Sequence, residues 1–225
     1  MSNPGHNLSE DNLMEIIRTA TKIRNKNRPL FKLLINFLKR NNVNYVIDGG
    51  LLLGAARDRH EILWDDDYDI YMPGNNLNMF INLLSKKHVF TYEKTAFRFV
   101  LVKNEKGFIN IKRVLIDSLT LDPDFNVDLF YDGDKSGWVH PHVSHIYPIQ
   151  TIIINGLELS VMNNPLEYLY FTYGENCMNK YVVCNHAMYS GGYSKFKDNQ
   201  YLQIPKEKYV ELCSIIDNDN LNISI

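Results

Sequence analysis

Four aspartates fall within five residues, at Asp65, Asp66, Asp67 and Asp69, interrupted by Tyr68 and flanked by Trp64 and Ile70. Side chains alternate between the two faces of an extended strand. A strand here would put Asp65, Asp67 and Asp69 on one face and Asp66 and Tyr68 on the other. Three like charges side by side repel unless a cation lies between them. An all-oxygen set suits a hard divalent ion, magnesium or manganese, which also bridges phosphate oxygens. Just upstream stand Gly49 and Gly50, a pair that lets backbone approach a phosphate closely. The combination predicts metal-assisted chemistry on a phosphorylated or nucleotide-linked substrate. A solvated acidic turn is the bland alternative. Trp64, Tyr68, Ile70 and Met72 argue against it, because such side chains favour burial.

The elements that must position these residues can be read from periodicity. Leu13, Ile16, Ile17, Ala20 and Ile23 recur at helical spacing, as do Leu30, Leu33, Leu34, Phe37 and Leu38, with Pro29 expected to kink or divide the two runs. Tyr45 to Ile47 predicts a short strand, Leu51 to Arg57 a helix directly after the glycines, and Ile62 to Met72 the acidic strand. Leu77, Phe80, Ile81 and Leu84 mark a further helix ending near Lys86 and Lys87. Phe97 to Lys103 and Phe108 to Ile116 predict a hairpin around residues 104–107. Val127 to Phe130 is a short strand with one acid, Asp128, among apolar neighbours. Thr151 to Ile154 and Leu157 to Met162 flank Asn155-Gly156, a strong hairpin signal. Pro165 opens a helix that Gly174 caps. A last amphipathic helix is expected from Pro205 to Ile216, whereas residues 175–200 carry no clear pattern.

Composition bounds the function. The 225 residues are 45% hydrophobic with scattered charges, which predicts a folded globule: one domain over 9–225 after a disordered 1–8. With 24 Lys+Arg against 26 Asp+Glu and a formal net charge of -2, bulk electrostatics argue against a nucleic-acid partner. Cys177, Cys184 and Cys213 are odd in number and show no C-x-x-C spacing, which fits reduced thiols. No signal-peptide pattern opens the sequence and no apolar run approaches membrane-spanning length, so a cytoplasmic location without a membrane span is expected.

The residues from Tyr45 to Met72 closely resemble the core motif of the LicD/fukutin-related family of phosphotransferases. That motif is a strand, a Gly-Gly or Gly-Thr pair, Leu-Leu-Gly-Ala, an arginine, and then Trp-Asp-Asp-Asp-x-Asp-Ile. Here it is met in order by Gly49-Gly50, Leu52-Leu53-Gly54-Ala55, Arg57 and Trp64 to Ile70. Val127 to Phe130 is similar to the family's second acidic strand. Tyr147-Pro148, Asn155-Gly156-Leu157, Asn164-Pro165, Tyr168-Leu169 and Tyr173-Gly174 resemble its C-terminal signature. Tyr71 departs from the pattern, standing where a small residue is common.

The resemblance implies an α+β fold with a nucleotidyltransferase-like mixed β-sheet core flanked by helices, and helical N- and C-terminal additions. It implies transfer of phosphocholine or an alditol phosphate from a CDP-linked donor to a glycan acceptor. It assigns Gly49 and Gly50 to the donor phosphates, Asp67 and Asp69 to magnesium or manganese, and Asp128 to the third carboxylate. Asp65 becomes a metal or base candidate that could orient or deprotonate the acceptor hydroxyl. The same acidic core also serves a nucleotidyltransferase that moves a nucleoside monophosphate from a triphosphate to a small molecule or RNA. A non-catalytic nucleotide- or glycan-binding module is a third reading, against which the intact Asp67, Asp69 and Asp128 count.

Other candidates carry two readings each. Arg57 could hold a donor phosphate or be an exposed helix-end arginine. Asp48 reads as a helix cap or a supporting acid. Arg98, Lys112 and Arg113 lie on the middle hairpin, facing either the donor or solvent. His140, His142 and His145 could bind zinc or lie on the surface. Trp138, Tyr189, Tyr193 and Phe196 could wall a sugar or a choline-like cation, or simply pack in the core.

Overall fold

A six-stranded mixed sheet sits at the centre of the computed structural model, which describes residues 10–103, 109–132, 140–184 and 201–223. The chain enters through helix α1 (Glu10–Arg40) and strand β1 (Val46–Ile47), turns into α2 (Gly49–Asp58) and returns as β2 (Asp69–Met72). Helix α3 (Asn76–Ser85) leads to β3 (Phe90–Tyr92), β4 (Thr95–Lys103), β5 (Ile109–Leu115) and β6 (Val127–Tyr131). A short α4 (Val143–Ile146) precedes the hairpin of β7 (Gln150–Ile154) and β8 (Leu157–Val161), then α5 (Pro165–Tyr173). The chain continues through β9 (Tyr181–Cys184), β10 (Tyr201–Ile204) and α6 (Lys206–Ile223). The class is α+β, as the motifs imply.

The large sheet has the order β1-β2-β6-β5-β4-β3. Only β2 and β6 run parallel; every other neighbouring pair is antiparallel. Parity along the strands separates two faces. Ile70, Met72, Val127, Leu129, Ile111, Phe97 and Phe99 line one face, and all are buried in the core. The other face carries Asp69, Asp128, Asn110, Lys112 and Arg98, so the chemistry-bearing side chains share it.

The structure runs one helix through Pro29, where the sequence predicts a kink or a break. A proline inside a helix costs about 3 kcal/mol. Against that stands one buried stripe, Leu13, Ile17 and Ala20 before the proline and Leu30, Phe31, Leu34, Ile35 and Leu38 after it. Each such apolar side chain contributes roughly 1.5–3 kcal/mol on burial, so the stripe outweighs the lost hydrogen bond.

The acidic strand is shorter than expected. Residues 62–68 form turn and irregular backbone, and only Asp69–Met72 pair as β2. The reason lies in α1. The Arg24 guanidinium, buried at 3% exposure, donates to the carbonyls of Ile62, Leu63 and Asp65, so a side chain rather than a neighbouring strand satisfies this backbone.

Other boundaries move less. Helix α2 begins at Gly49 itself, α6 continues past Ile216 to Ile223, and the histidine segment contains the short α4. The β7–β8 hairpin turns at Asn155 and Gly156, with φ of 47 and 74, the left-handed pair that a two-residue type I′ turn requires. Strand β9 lies inside the stretch that carries no sequence pattern and pairs with β10, which begins just after it. The expected disordered residues 1–8, the turn at 104–107, Trp138, Tyr189, Tyr193 and Phe196 lie outside the described residues. Among the described residues, no helix is long and apolar enough to cross a membrane.

Candidate active site

The parallel pairing of β2 with β6 sets Asp69 directly opposite Asp128. Asp128 N–H donates to the Tyr68 carbonyl at 2.9 Å, which extends this pairing by one residue, and Asp48 N–H donates to the Asp69 carbonyl at 3.0 Å, which extends the β1–β2 pairing. Asp67 lies in the bend two residues before β2. Asp67, Asp69 and Asp128 each offer one oxygen, and these oxygens all lie within 4.8 Å of one another. Among the described residues they are the one group of His, Cys, Asp or Glu side chains gathered closely enough to share an ion.

The cluster is short of positive charge. Asp69 is held well above the ordinary carboxylate range, first by burial and then by the like charges of Asp67, Asp128, Asp65 and Asp48. Burial and Asp67 push Asp128 up to about 7, against opposing help from Asn126, Lys112 and Asn110. Asn126 donates to Asp128 Oδ1 at 2.6 Å, and Asn110, its register partner on β5, donates to the same oxygen. Half-buried converging carboxylates with surplus negative charge fit a hard divalent ion such as magnesium or manganese.

The glycines stand at the N-terminal end of α2, whose positive dipole end faces these carboxylates. A β-carbon on Gly49 would lie 1.9 Å from Asp69 Oδ2, and one on Gly50 would lie 2.1 Å from Asp65 Oδ2. Gly49 also has φ of +55, which side-chain-bearing residues rarely adopt. Each glycine therefore makes room for a carboxylate. Asp48 caps the helix, accepting from Gly49 N–H at 2.8 Å, and Tyr168 of α5 donates to it at 2.9 Å. Asp65 is buried against Gly50 and within electrostatic reach of Asp69. Asp66, its neighbour, is exposed, whereas Tyr68 is buried and stacks on Phe31 with ring centroids 4.1 Å apart.

A buried ionic group braces this arrangement from behind. Glu61 accepts from Arg28 at 2.6 Å and from Asn155 at 3.0 Å, and Arg24 lies 3.5 Å away. Burial opposes the Glu61 charge, but Arg28 and Arg24 overcome it and hold its carboxyl below the usual range. Arg24 therefore links the ion pair to the carbonyls of the acidic loop. The sequence does not single out Arg24, Asn110 or Asn126, and it marks Tyr168 only as part of the C-terminal signature, with no role beside the acids. Arg24 was discoverable, since it interrupts the apolar stripe of α1, where a buried cation must have partners. The two asparagines gave no signal, because their role depends on the strand order.

Arg57 does not sit with the acids. It lies near the far end of α2, about 10 Å along the axis from Gly50 at 1.5 Å per residue. Its side chain is 3% exposed. It bonds Asp58 at 2.7 Å and the Lys180 carbonyl at 2.7 Å, and it stacks 4.0 Å from the Tyr181 ring centroid. It thus fits neither reading of the sequence: it is a buried anchor between α2 and β9. The histidines also part company. His142 caps α4, His145 pairs with Glu167 at 3.2 Å, and His140 lies by the Tyr71 ring. They form no ligand group among the described residues. Of the hairpin cations, Arg113 pairs with Asp122 on the core face, away from the acid cluster.

Comparison with known proteins adds one match. A family model described as LicD/FKTN/FKRP, nucleotidyltransferase domain, matches residues 42–164, over half of the chain. The matched span includes Gly49, Gly50, Asp65, Asp67, Asp69 and Asp128. No curated protein matches the sequence.

Proposed function

The chain belongs to the LicD/FKTN/FKRP family, which suggests a transferase of phosphate-containing groups, and we propose that it moves phosphocholine or an alditol phosphate from a CDP-linked donor to a glycan. The observation that carries this reading is the convergence of Asp67, Asp69 and Asp128 beside the start of α2. Such a transfer needs alignment and charge neutralisation more than covalent help from the protein.

In this reading Asp67, Asp69 and Asp128 would hold magnesium or manganese, which supplies the positive charge that a diphosphate needs. The start of α2 adds a favourable dipole for the same group. The acceptor hydroxyl oxygen forms a bond to the phosphorus that carries the head group. The bond from that phosphorus to the bridging oxygen breaks, and the oxygen departs with its electron pair as part of cytidine monophosphate. The hydroxyl proton passes to Asp65, the one of the motif's two remaining carboxylates that is buried, fixed by its seat against Gly50, whereas Asp66 is exposed.

The test is product analysis. The protein is incubated with magnesium and glycan acceptors, once with a panel of cytidine-diphosphate donors and once with nucleoside triphosphates. Release of cytidine monophosphate supports the proposal. Release of pyrophosphate from a triphosphate, with no cytidine monophosphate from any donor, replaces it with nucleotidyl transfer.

A further inference from the structure

Two cations share the acid-bearing face of the sheet, and neither belongs to the carboxylate cluster described above. On β5, Lys112 lies two positions beyond Asn110, the register partner of Asp128. On β4, Val100 is opposite Lys112, and Arg98 lies two positions beyond it. Side chains two apart on one strand share a face, as do register partners. Asp128, Lys112 and Arg98 therefore form a diagonal line on one surface. Each step in general sheet geometry is about 7–8 Å.

Neither cation has an ion pair among the described residues, whereas Arg24, Arg28, Arg57 and Arg113 all do. Arg98 is half-buried, and its Nε is shut off from solvent without a hydrogen-bond partner; one nitrogen each of Arg24, Arg28 and Arg57 shares that state, but each of those three has a carboxylate beside it. A guanidinium in that state is costly unless a ligand completes it. An anion continuing from the acid cluster along the sheet would do so, since arginine and lysine both suit phosphate oxygens.

We propose that Lys112 and Arg98 form an anion-binding strip for the nucleotide-side phosphate of the donor, the one that departs with the nucleoside. The strip rests on the reading of the acid cluster as a diphosphate site. It divides the binding of a diphosphate between the carboxylate end and a basic end.

The experiment measures dissociation constants for cytidine diphosphate, inorganic pyrophosphate and cytidine, each with magnesium, by titration calorimetry. Wild type is compared with Lys112→Met, Arg98→Met, the double variant and Lys112→Arg, all checked for folding by circular dichroism. Losing a charge-assisted contact should weaken both phosphate probes by about tenfold or more in each methionine variant. Cytidine affinity should not change, and Lys112→Arg should restore most of the loss. Equal cytidine-diphosphate affinity in wild type and the double variant would overturn the strip while leaving the acid cluster untouched. Pyrophosphate binding that depends on Lys112 and Arg98, without cytidine-diphosphate binding, would support the strip and remove the cytidine donor. Binding of neither phosphate probe by wild type would overturn both.

Discussion

Gly49 and Asp69 interlock: the Asp69 carboxylate fills the space that a β-carbon on Gly49 would need, with Oδ2 only 1.9 Å from it. Gly49→Ala must therefore displace the carboxylate and also accept a left-handed φ of +55. The melting temperature should fall by an amount equivalent to roughly 2–4 kcal/mol, and magnesium should no longer raise it. Shortening the partner isolates the clash. In Gly49→Ala/Asp69→Ala, part of the lost stability should return, a non-additivity that a purely local strain cannot produce.

The cluster should bind its ion in a pH-dependent way. A carboxyl raised in the folded chain binds more protons there than in the unfolded chain. Its stabilising contribution is then present below about pH 4 and is lost as pH rises through the folded value. For Asp128 that value is about 7, and Asp69 is displaced in the same direction. A divalent ion competes with these protons, so magnesium should raise the melting temperature little at about pH 5.5 and by several degrees at about pH 8. Scanning fluorimetry across that range checks it, and a shift independent of pH would contradict the proposed ligand set.

Asp128→Asn should stabilise the metal-free protein near pH 8. It removes one of several mutually repelling charges while leaving a side chain of the same shape. A gain of about 1 kcal/mol would appear as roughly 2–4 °C in melting temperature. The same variant should lose the magnesium response and the transferase activity, so stability and function should move in opposite directions.

Arg57→Lys should cost stability and spare nucleotide affinity. The guanidinium bonds Asp58 and the Lys180 carbonyl and lies over Tyr181, a combination that an ammonium cannot reproduce. A lower melting temperature with an unchanged dissociation constant for cytidine diphosphate is expected. Weakened nucleotide binding without a change in melting temperature would return Arg57 to the substrate.

Much of the fold was legible because short-range signals encoded it. The Asn155-Gly156 turn, the Pro165 to Gly174 helix and the β4–β5 pairing all follow from local residue types and alternation. What escaped depended on distant partners. Pro29 predicts a break only if the packing of both flanking runs on one core is left out. Residues 62–68 look like strand until Arg24 supplies the partners that a neighbouring strand would have given. Asp67 and Asp69 do come together, but not by strand alternation, which holds only from Asp69 onward. Their meeting with Asp128 rests on the order of strands, which no local pattern states.

The parallel pairing of β2 with β6 also bears on folding order. Helix α3 and three strands intervene between Asp69 and Asp128, so the two acids meet only when a long loop closes. The hairpins of β3, β4 and β5 can form earlier from local contacts. Closure then brings repelling carboxylates together at the last docking step, a point of local frustration placed where the ion is expected to bind. An ion that recognises only the docked strands acts after the barrier. Magnesium should therefore slow unfolding while leaving the refolding rate nearly unchanged. In this fold the ion would act as a latch on the closed sheet, holding the acid-bearing strands together long after local structure elsewhere has begun to open.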